Sequence, residues 1–339
     1  MKKIKISLIG YGYWGPNVAK NIHSNGNMEL CSICDYNERR LNMAKLIYLE
    51  QTSYELDYKK ILLNPEIDAV AIVIETSGHF KLAKEALLSG KHVYIEKPFT
   101  DTVAEAEELK ELADSLGLII HVDHIMIYHP VIRRIKEMFD SGELGDILYF
   151  DSMRMNLGQI KKDVSAMWDL SIHDLSIVDY ITNGKLPTYV NAIGEKHYNP
   201  KESLCHLSLK YGSFLAHMQS SWISPLKERR VVLAGTLKMI VYDDMKDVQK
   251  LMIYDKGVDV ISGDGDSMEY PEYAVETREG DLHVPYIKQE DALYNSLEHF
   301  RNCLISGLPS ISGTNQAIRL QKILETADKK MKEVNKHEI

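Results

Sequence analysis

The first third of the chain alternates short, largely apolar segments with segments of helical periodicity, and this alternation restricts the fold more than any other feature. Short segments with apolar side chains on both faces are typical of strands in a parallel sheet that helices cover on both sides. The pattern therefore predicts a doubly wound α/β domain over residues 1–123. The predicted strands are KISLIG, MELCSICD, DAVAIVIE, KHVYIE and LIIHV.

The pattern changes beyond residue 123, where several strands follow one another with turn residues between them. Strands in series indicate antiparallel pairing, so residues 124–339 are predicted to form an α+β domain with an open, mainly antiparallel sheet. An apolar outer face of that sheet would be buried against a second subunit, which predicts a homodimer or a homotetramer. The main predicted strands here are SLCHLSLKY, SFLAHMQSSW, RRVVLAG and LKMIVYD.

Composition excludes several classes of function. The formal net charge of -9 disfavours a nucleic-acid partner, because phosphate binding needs a concentrated basic surface. Since no apolar run approaches the roughly 18 residues of a membrane span, we expect no membrane association, and MKKIKISLIG is interpreted as a strand. Four cysteines do not make a disulfide framework, which favours the cytoplasm. Cys31 and Cys34 lie in an apolar run and are interpreted as buried strand thiols.

Two patterns invite a metal-binding interpretation, and neither has the right spacing. Asp264-Gly265-Asp266 lies in a glycine-punctuated turn that lacks the ligand spacing of a calcium loop. In the segment of His121, Asp123 and His124, strand alternation sends the first two side chains to one face and the third to the other. We therefore expect no metal site.

Three glycines with the spacing GYGYWG follow the first predicted strand and precede a helix. Gly10 permits a tight turn, Gly12 lets the backbone approach a pyrophosphate, and Gly15 lets helix and strand pack closely. Free amides at the helix start then face the phosphates. The alternative is a plain strand-to-helix turn, but the strand and helix on either side favour dinucleotide binding.

Asp35 ends the second predicted strand, where a carboxylate accepts hydrogen bonds from the adenosine ribose hydroxyls. Such a carboxylate repels a 2'-phosphate and favours NAD over NADP. Arg39 and Arg40 leave this preference open, because either side chain could reach a phosphate. They could equally be solvated charges in the first turn of a helix.

Two segments carry residues suited to moving a proton. Glu96-Lys97-Pro98 follows a parallel strand, at the edge where doubly wound sheets bind ligands. Asp169 and His173 are four residues apart at a predicted helix start and therefore share a face. A histidine with a pKa near 6.5 accepts a proton from an alcohol, and a lysine stabilises the developing alkoxide. Taken alone, His173 could also be structural.

Together these motifs resemble the Gfo/Idh/MocA family of nicotinamide-dependent sugar and polyol oxidoreductases, over nearly the whole chain. The strongest pieces are the glycine turn, AKEALLSGKHVYIEKPF and WDLSIHDLS, supported by SGELGDILYFDS and SGLPSISGTNQAIRLQKILE. The resemblance implies a Rossmann domain followed by an open-sheet substrate domain, with NAD as cofactor. It also implies that Lys97, Asp169 and His173 are the catalytic residues.

The resemblance and the positions beside these motifs give two sets of expected binding residues. For Arg154, Asn156 and Lys161 an interpretation as exposed strand and loop residues stays open, and His124 could be a structural histidine. Two departures from the family pattern are Ile74-Glu75, where a threonine-proline pair is usual, and His129 before Pro130. Expected cofactor contacts are Gly10, Gly12, Tyr13, Trp14, Gly15, Asp35, Tyr36, Glu75, His79, Glu96 and Lys97, and expected substrate contacts are His124, Tyr128, Arg154, Asn156, Lys161 and His173.

Within the family, the chain resembles enzymes of bacterial surface-polysaccharide and lipid A pathways that act on nucleotide-linked amino sugars. This resemblance implies oxidation of a sugar hydroxyl to a ketone, with C3 of UDP-N-acetylglucosamine as the expected site and an aminotransferase as a pathway partner. Two alternatives stay open: a dehydrogenase of a free polyol such as inositol, and a dinucleotide-binding sensor without catalysis. The presence of Lys97, Asp169 and His173 together argues against the sensor.

Overall fold

A computed structural model describes residues 3–48, 52–261 and 274–334, and this part of the chain divides into two compact units. The first unit consists of Met1–His129 and Gln289–Glu325, and the second of Pro130–Lys288 and Thr326–Ile339. This division differs from the single boundary expected between residues 123 and 124, because residues 289–325 return to the first unit.

The first unit contains a parallel sheet of six strands in the order β3-β2-β1-β4-β5-β6. Five of these strands are the apolar segments predicted from the sequence. The sixth, β3, is a three-residue edge strand, and its polar sequence gives no strand signal. The strands are β1 (Ile4–Ile9), β2 (Met28–Cys34), β3 (Ser53–Glu55), β4 (Ala69–Ile72), β5 (His92–Ile95) and β6 (Ile120–Val122).

Nine helices are described, and each unit has its own. Helices α1 to α5 and α8 belong to the first unit, helices α6 and α7 belong to the second, and α9 contributes residues to both. None of the described helices is both long and apolar enough to cross a membrane. The helices are α1 (Gly15–Ser24), α2 (Glu38–Lys45), α3 (Tyr58–Leu63), α4 (His79–Leu88), α5 (Val103–Leu116), α6 (Pro130–Asp140), α7 (Ile172–Ile181), α8 (Ala292–Ser306) and α9 (Thr314–Val334).

Helix α8 explains why a late segment of the chain belongs to the first unit. Its side chains Leu293, Leu297 and Phe300 are buried in the same apolar cluster as Leu8 of β1 and Tyr94 of β5. The carboxylate of Asp291 caps the helix by accepting the backbone N–H of Leu293 at 2.9 Å. Burial of this apolar face against the parallel sheet stabilises the association, although about 170 residues separate the two in sequence.

The second unit contains an eight-stranded sheet in the order β14-β13-β12-β11-β7-β10-β9-β8. Its neighbours pair in antiparallel fashion except β7 and β10, which are parallel, so the predicted mainly antiparallel sheet is confirmed. The strands are β7 (Ile147–Leu157), β8 (Tyr189–Glu195), β9 (Leu204–Tyr211), β10 (Phe214–Ser221), β11 (Ile223–Gly235), β12 (Met239–Asp243), β13 (Leu251–Ile261) and β14 (Ala274–His283).

Two predictions about short sequence patterns have different outcomes. Cys31 and Cys34 both lie on β2 as thiols, but only Cys34 is buried as predicted, whereas Cys31 is half-buried. Burial raises the pKa of each to about 12. They therefore remain protonated at neutral pH, as strand thiols do. The predicted turn at Asp264-Gly265-Asp266 lies outside the described residues.

Candidate active site

The glycine turn between β1 and α1 has the geometry that its sequence predicts. Gly10 has a φ of 100°, and a Cβ atom at this position would lie 2.1 Å from the carbonyl oxygen of Val73. A Cβ on Gly15 would lie 2.5 Å from the carbonyl oxygen of Gly10. Both positions therefore require glycine, because any side chain would collide with the backbone. Gly12 contacts no backbone in this way, which leaves its peptide accessible to a ligand.

The start of helix α1 is suited to binding an anion. Trp14 occupies the N-cap position and Pro16 the first turn, and no side chain among the described residues caps the helix. Backbone N–H groups at an uncapped helix start, together with the helix dipole, attract phosphate. Two exposed aromatic rings, Tyr13 at 91% and Tyr36 at 83% exposure, lie beside the turn. These residues fit the phosphates and adenosine of a dinucleotide.

Asp35 is a structural partner of the glycine turn. Its Oδ2 accepts the backbone N–H of Tyr11 at 2.8 Å, and its Oδ1 accepts the backbone N–H of Asn37 at 2.8 Å. The guanidinium of Arg40 lies 3.3 Å from Oδ2 and 5.7 Å from the centre of the Tyr36 ring. The side chain of Asp35 is almost fully buried, so this carboxylate fixes the turn, and Arg40 is the more exposed of the two charged groups.

His79 holds the segment after Lys97 in place. Its Nδ1 lies 2.9 Å from the carbonyl oxygen of Pro98 and its Nε2 lies 3.2 Å from that of Ile74. Burial lowers the pKa of His79, so the neutral ring carries one hydrogen. We assign that hydrogen to Nδ1, which has the shorter contact. In this structure His79 is engaged by the backbone, and Glu75 is exposed in the same loop.

The segment after β5 places two carboxyl groups together beside Lys97. Glu96 follows β5, Asp123 follows β6, and the strands pair in parallel register with Ile95 opposite Val122. Burial raises the pKa of Glu96 well above its usual range and that of Asp123 to about 6. Oε1 of Glu96 is buried without a hydrogen-bond partner among the described residues, so it can accept a donor from a bound ligand.

His124 and Tyr128, expected to contact substrate, are both buried in the first unit. Burial lowers the pKa of His124 to about 3, so its ring is neutral. The ring of Tyr128 packs against those of His121 and His299, with centroid distances of 5.7 and 5.4 Å. These contacts support a packing role for Tyr128.

In the second unit, Asp169 lies on a π-helical turn, Met167–Ser171, that leads directly into α7. Its Oδ1 accepts a hydrogen bond from the ammonium of Lys161 at 2.7 Å, and its Oδ2 accepts one from the indole N–H of Trp222 at 3.3 Å. His173, in the first turn of α7, is half-buried. The structure therefore brings together Asp169 and Lys161, with His173 on the following turn.

Arg154 is occupied inside the second unit. Its guanidinium donates to both carboxylate oxygens of Asp174 at 2.8 and 3.3 Å, and both side chains are buried. Asn156 is the last but one residue of the same strand, β7, and is half-buried. This ion pair fixes β7 to α7, so we leave Arg154 out of the substrate contacts proposed below.

The expected catalytic residues are divided between the two units. Lys97 belongs to the first unit, whereas Asp169 and His173 belong to the second. Sequence reasoning missed three partners: Trp222 on Asp169, Asp174 on Arg154, and Ser296 on Asp123. Asp174 directly follows His173 in the segment WDLSIHDLS, which is the one available signal. Trp222 and Ser296 lie 53 and 173 residues from their partners, beyond the reach of local patterns.

Comparison with known proteins finds two family models that match successive parts of the chain. Residues 4–124 match the family model described as "Oxidoreductase family, NAD-binding Rossmann fold", and residues 132–241 match the "GFO/IDH/MocA C-terminal domain". The first match confirms the predicted cofactor, NAD.

Three relatives illustrate the range of similar proteins. Oxidoreductase YdgJ of Escherichia coli (strain K12) is 34% identical over 150 residues, which cover 44% of this chain and 42% of YdgJ. The scyllo-inositol 2-dehydrogenase (NAD(+)) of Bacillus subtilis (strain 168) is 25% identical over 94% of this chain and 92% of its own length. UDP-N-acetylglucosamine 3-dehydrogenase of Acidithiobacillus ferrooxidans is 29% identical over 58% of this chain and 62% of its own length.

A solved structure of that last enzyme, GnnA, covers 98% of this chain and 99% of its own, with a TM-score of 0.79 and 24% identity. This similarity extends the agreement in fold to both sheets. Together with the two family models, which span most of the chain, it confirms the resemblance found in the sequence. The chain therefore belongs to the Gfo/Idh/MocA family of oxidoreductases.

Proposed function

We propose that this oxidoreductase uses NAD to oxidise a hydroxyl of a nucleotide-linked sugar, C3 of UDP-N-acetylglucosamine or a close relative. The observation that carries the proposal is the ion pair between Lys161 and Asp169. In this pair, the carboxylate of Asp169 holds the ammonium of Lys161. The side chain of Lys161 is 42% exposed and lies in the unit that also contains His173. Such a cation suits a diphosphate. The sequence similarity to UDP-N-acetylglucosamine 3-dehydrogenase supports the same substrate class.

The proposed mechanism divides the chemistry among three side chains. His173 takes the proton of the reacting hydroxyl as general base. Lys97 donates a hydrogen bond to the same oxygen and stabilises the negative charge that develops there. Asp169 acts as a positioning residue, because it fixes the ammonium of Lys161. NAD, when bound, supplies the hydride acceptor.

We also propose a preference for NAD over NADP. The carboxylate of Asp35 at the end of β2 disfavours a 2'-phosphate, whereas Arg40 attracts one. Calorimetric dissociation constants for NAD and NADP, measured on the wild type and on Arg40→Ala, separate these effects. We expect NAD to bind more tightly in both proteins and Arg40→Ala to weaken NADP more than NAD. Arg39→Ala, at an exposed neighbouring position, is the control. Equal affinity of the wild type for both dinucleotides would contradict the preference.

The test of the substrate is direct. Purified protein is mixed with NAD and UDP-N-acetylglucosamine, and the absorbance of reduced nicotinamide is followed. An aminotransferase with glutamate removes the keto product, which also tests the proposed pathway partner. We expect NAD reduction that depends on the nucleotide sugar. Absence of reduction, with NAD still raising the melting temperature, would exclude this substrate and retain the cofactor.

A free polyol is the second candidate substrate. It is favoured by the similarity to scyllo-inositol 2-dehydrogenase, which extends over 94% of this chain. Melting temperatures in the presence of NAD, with either UDP-N-acetylglucosamine or inositol added, distinguish the two. A ligand that binds the native state raises the melting temperature by mass action. A shift with inositol alone would replace the nucleotide-sugar proposal.

We further propose that the enzyme is a cytoplasmic homodimer or homotetramer. Tyr149 of β7 and Leu215 of β10 are opposite each other on the second sheet and are 40% and 46% exposed. An apolar pair at the centre of a sheet face favours contact with another subunit. Light scattering of Leu215→Glu tests this, and we expect a shift toward the monomer. An unchanged molar mass would place the subunit contact elsewhere.

A further inference from the structure

A chain of hydrogen bonds runs behind Lys97 through the interior of the first unit. The hydroxyl of Ser310 lies 2.9 Å from Nδ1 of His121, and Nε2 of His121 lies 3.0 Å from the hydroxyl of Ser296. The hydroxyl of Ser296 lies 2.7 Å from Oδ1 of Asp123. Asp123 is the partner of Glu96 in the carboxyl pair, so the chain of contacts ends beside Lys97.

The hydrogen bonds between Ser310, His121, Ser296 and Asp123 all donate in the same direction. Ser296 donates its single hydrogen to Oδ1 of Asp123, so its oxygen accepts from Nε2 of His121. Nδ1 of His121 is then the acceptor of the hydrogen of Ser310, whose oxygen also accepts the backbone N–H of Ser312 at 3.1 Å. A neutral ring that accepts at Nδ1 carries its hydrogen on Nε2 and donates it to Ser296. Ser296 donates its own hydrogen to Asp123. Every group therefore donates one step toward the carboxylate.

The protonation of His121 suits this role. Its ring is fully buried, and burial lowers its pKa well below 6.5, so the ring is neutral. A neutral imidazole accepts a proton at one nitrogen and releases one from the other without becoming a lasting buried charge. The ring is fixed by stacking on Tyr94 of β5, with centroids 4.9 Å apart.

The outer end of the chain reaches a cleft on the first unit. Ser310 is half-buried and lines a cleft of about 80 Å³ together with Lys110, Asp114 and Asn315. A cleft of this volume accommodates several water molecules, since each water molecule requires about 10 to 15 Å³. Ser310 can therefore exchange its proton with solvent.

The inner end of the chain is a pair of groups that can hold a proton. Two ionised carboxylates with a single ammonium would leave a net negative charge in a buried environment, so Glu96 and Asp123 retain one proton between them. Burial raises the pKa of Asp123 to about 6, and the hydrogen bond from Ser296 opposes that rise. The titratable and charged groups around the chain are Tyr94, Glu96, Lys97, Asp123, His124, Tyr128, His299 and Cys303.

We propose that Ser310, His121, Ser296 and Asp123 form a proton relay between the surface of the first unit and the carboxyl pair beside Lys97. A proton that enters at Ser310 displaces the hydroxyl proton onto Nδ1 of His121. The Nε2 proton of His121 passes to Ser296, and the proton of Ser296 passes to Asp123. One proton enters at Ser310 and one arrives at Asp123. The hydrogen bonds of the relay then donate toward the surface, and the reverse steps return a proton to Ser310.

The relay rests on the proposed function, in which Lys97 assists an oxidation that releases a proton, but its geometry is tested without substrate. In protein labelled with ¹⁵N at histidine, the side-chain resonances of His121 report which nitrogen carries the hydrogen. We expect a neutral ring with the hydrogen on Nε2, and loss of its hydrogen-bond shift in Ser296→Ala. A ring protonated on Nδ1 or on both nitrogens would overturn the proposal, whether or not any substrate is found.

Turnover gives the second test, once a substrate is established. Ser296→Ala interrupts the relay, and we expect kcat to fall about tenfold with a larger solvent deuterium isotope effect and an unchanged Kd for NAD. Ser312→Ala is the matched control, because it removes a buried hydroxyl that donates to the carbonyl oxygen of Val122 outside the relay. Equal kcat and equal isotope effects in both variants would show that Ser296 is structural and would overturn the relay.

Discussion

Two buried carboxyl groups of the first unit, Glu96 and Asp123, and two of the second, Asp169 and Asp174, are held in opposite ways. In the first unit, Asp123 accepts from the neutral hydroxyl of Ser296 and lies beside a second carboxyl, that of Glu96. In the second unit, Asp174 is paired with the guanidinium of Arg154, and Asp169 with the ammonium of Lys161. Burial raises the pKa of both Glu96 and Asp123, whereas a hydrogen-bonded cation stabilises the charged form of a carboxylate. Glu96 and Asp123 can thus exchange a proton, whereas the ion pairs of Asp169 and Asp174 are fixed charges that position side chains.

The largest expected effect is on kcat, at His173, the proposed proton acceptor of the second unit. Replacement of His173 by asparagine removes the proposed general base and is expected to lower kcat by about 10² to 10⁴. The Kd for NAD should stay within about twofold, because the cofactor residues lie in the first unit. Steady-state kinetics and calorimetry provide the two measurements. His206→Asn, at an exposed position on β9, is the control. Full activity of His173→Asn would reject the assignment.

The second prediction concerns the buried ion pair between Arg154 and Asp174. Arg154→Met leaves the carboxylate of Asp174 buried without its cation and is expected to reduce the free energy of unfolding by about 3 to 5 kcal/mol. The double variant Arg154→Met, Asp174→Leu should recover most of this loss, since no buried charge remains. Urea unfolding measures both. Arg229→Met removes a half-exposed ion pair with Asp244 and should cost less than about 1 kcal/mol. Similar losses of unfolding free energy in Arg154→Met and Arg229→Met would contradict the difference expected between a buried and a half-exposed ion pair.

The third effect concerns the exchangeable proton of the first unit. Because the pKa of Asp123 is raised to about 6 in the folded state, its contribution to stability is present below its unfolded pKa and is lost as pH rises toward 6. This loss is about 3 kcal/mol. Asp123→Asn keeps the shape and removes the titration, so its unfolding free energy should vary less between pH 4 and 7. Parallel pH profiles for wild type and variant would show that Asp123 does not titrate in this range.

The smallest effect on stability is expected at the half-exposed pair of the second unit. Lys161→Met should lower the free energy of unfolding less than Arg154→Met does, because the side chain of Lys161 is 42% exposed and water screens its ion pair with Asp169. Its KM for the nucleotide sugar should nevertheless rise about tenfold, because a charged hydrogen bond to substrate is lost. The control is Lys162→Met at the exposed neighbouring position. An unchanged KM would remove Lys161 from the proposed substrate contacts.

Local patterns predicted the parts of the fold that depend on short stretches of chain. The apolar strands identified the parallel sheet, and the spacing of Gly10, Gly12 and Gly15 predicted a turn in which two of the three positions exclude a side chain. The edge strand Ser53–Glu55 was missed because it has only three residues, two of which are polar. The helix that returns to the first sheet, α8, was assigned to the second part of the chain.

The sequence by itself determined the fold class, the family and the residue types available for chemistry, because strand periodicity, glycine spacing and motif order are properties of neighbouring residues. The tertiary structure alone decided which partner each polar side chain meets. Arg154 was expected at the substrate and instead pairs with Asp174, while Ser296 and Trp222 meet carboxyl groups far away in sequence. Burial and partner set the charge of a side chain, and both arise from packing between distant segments.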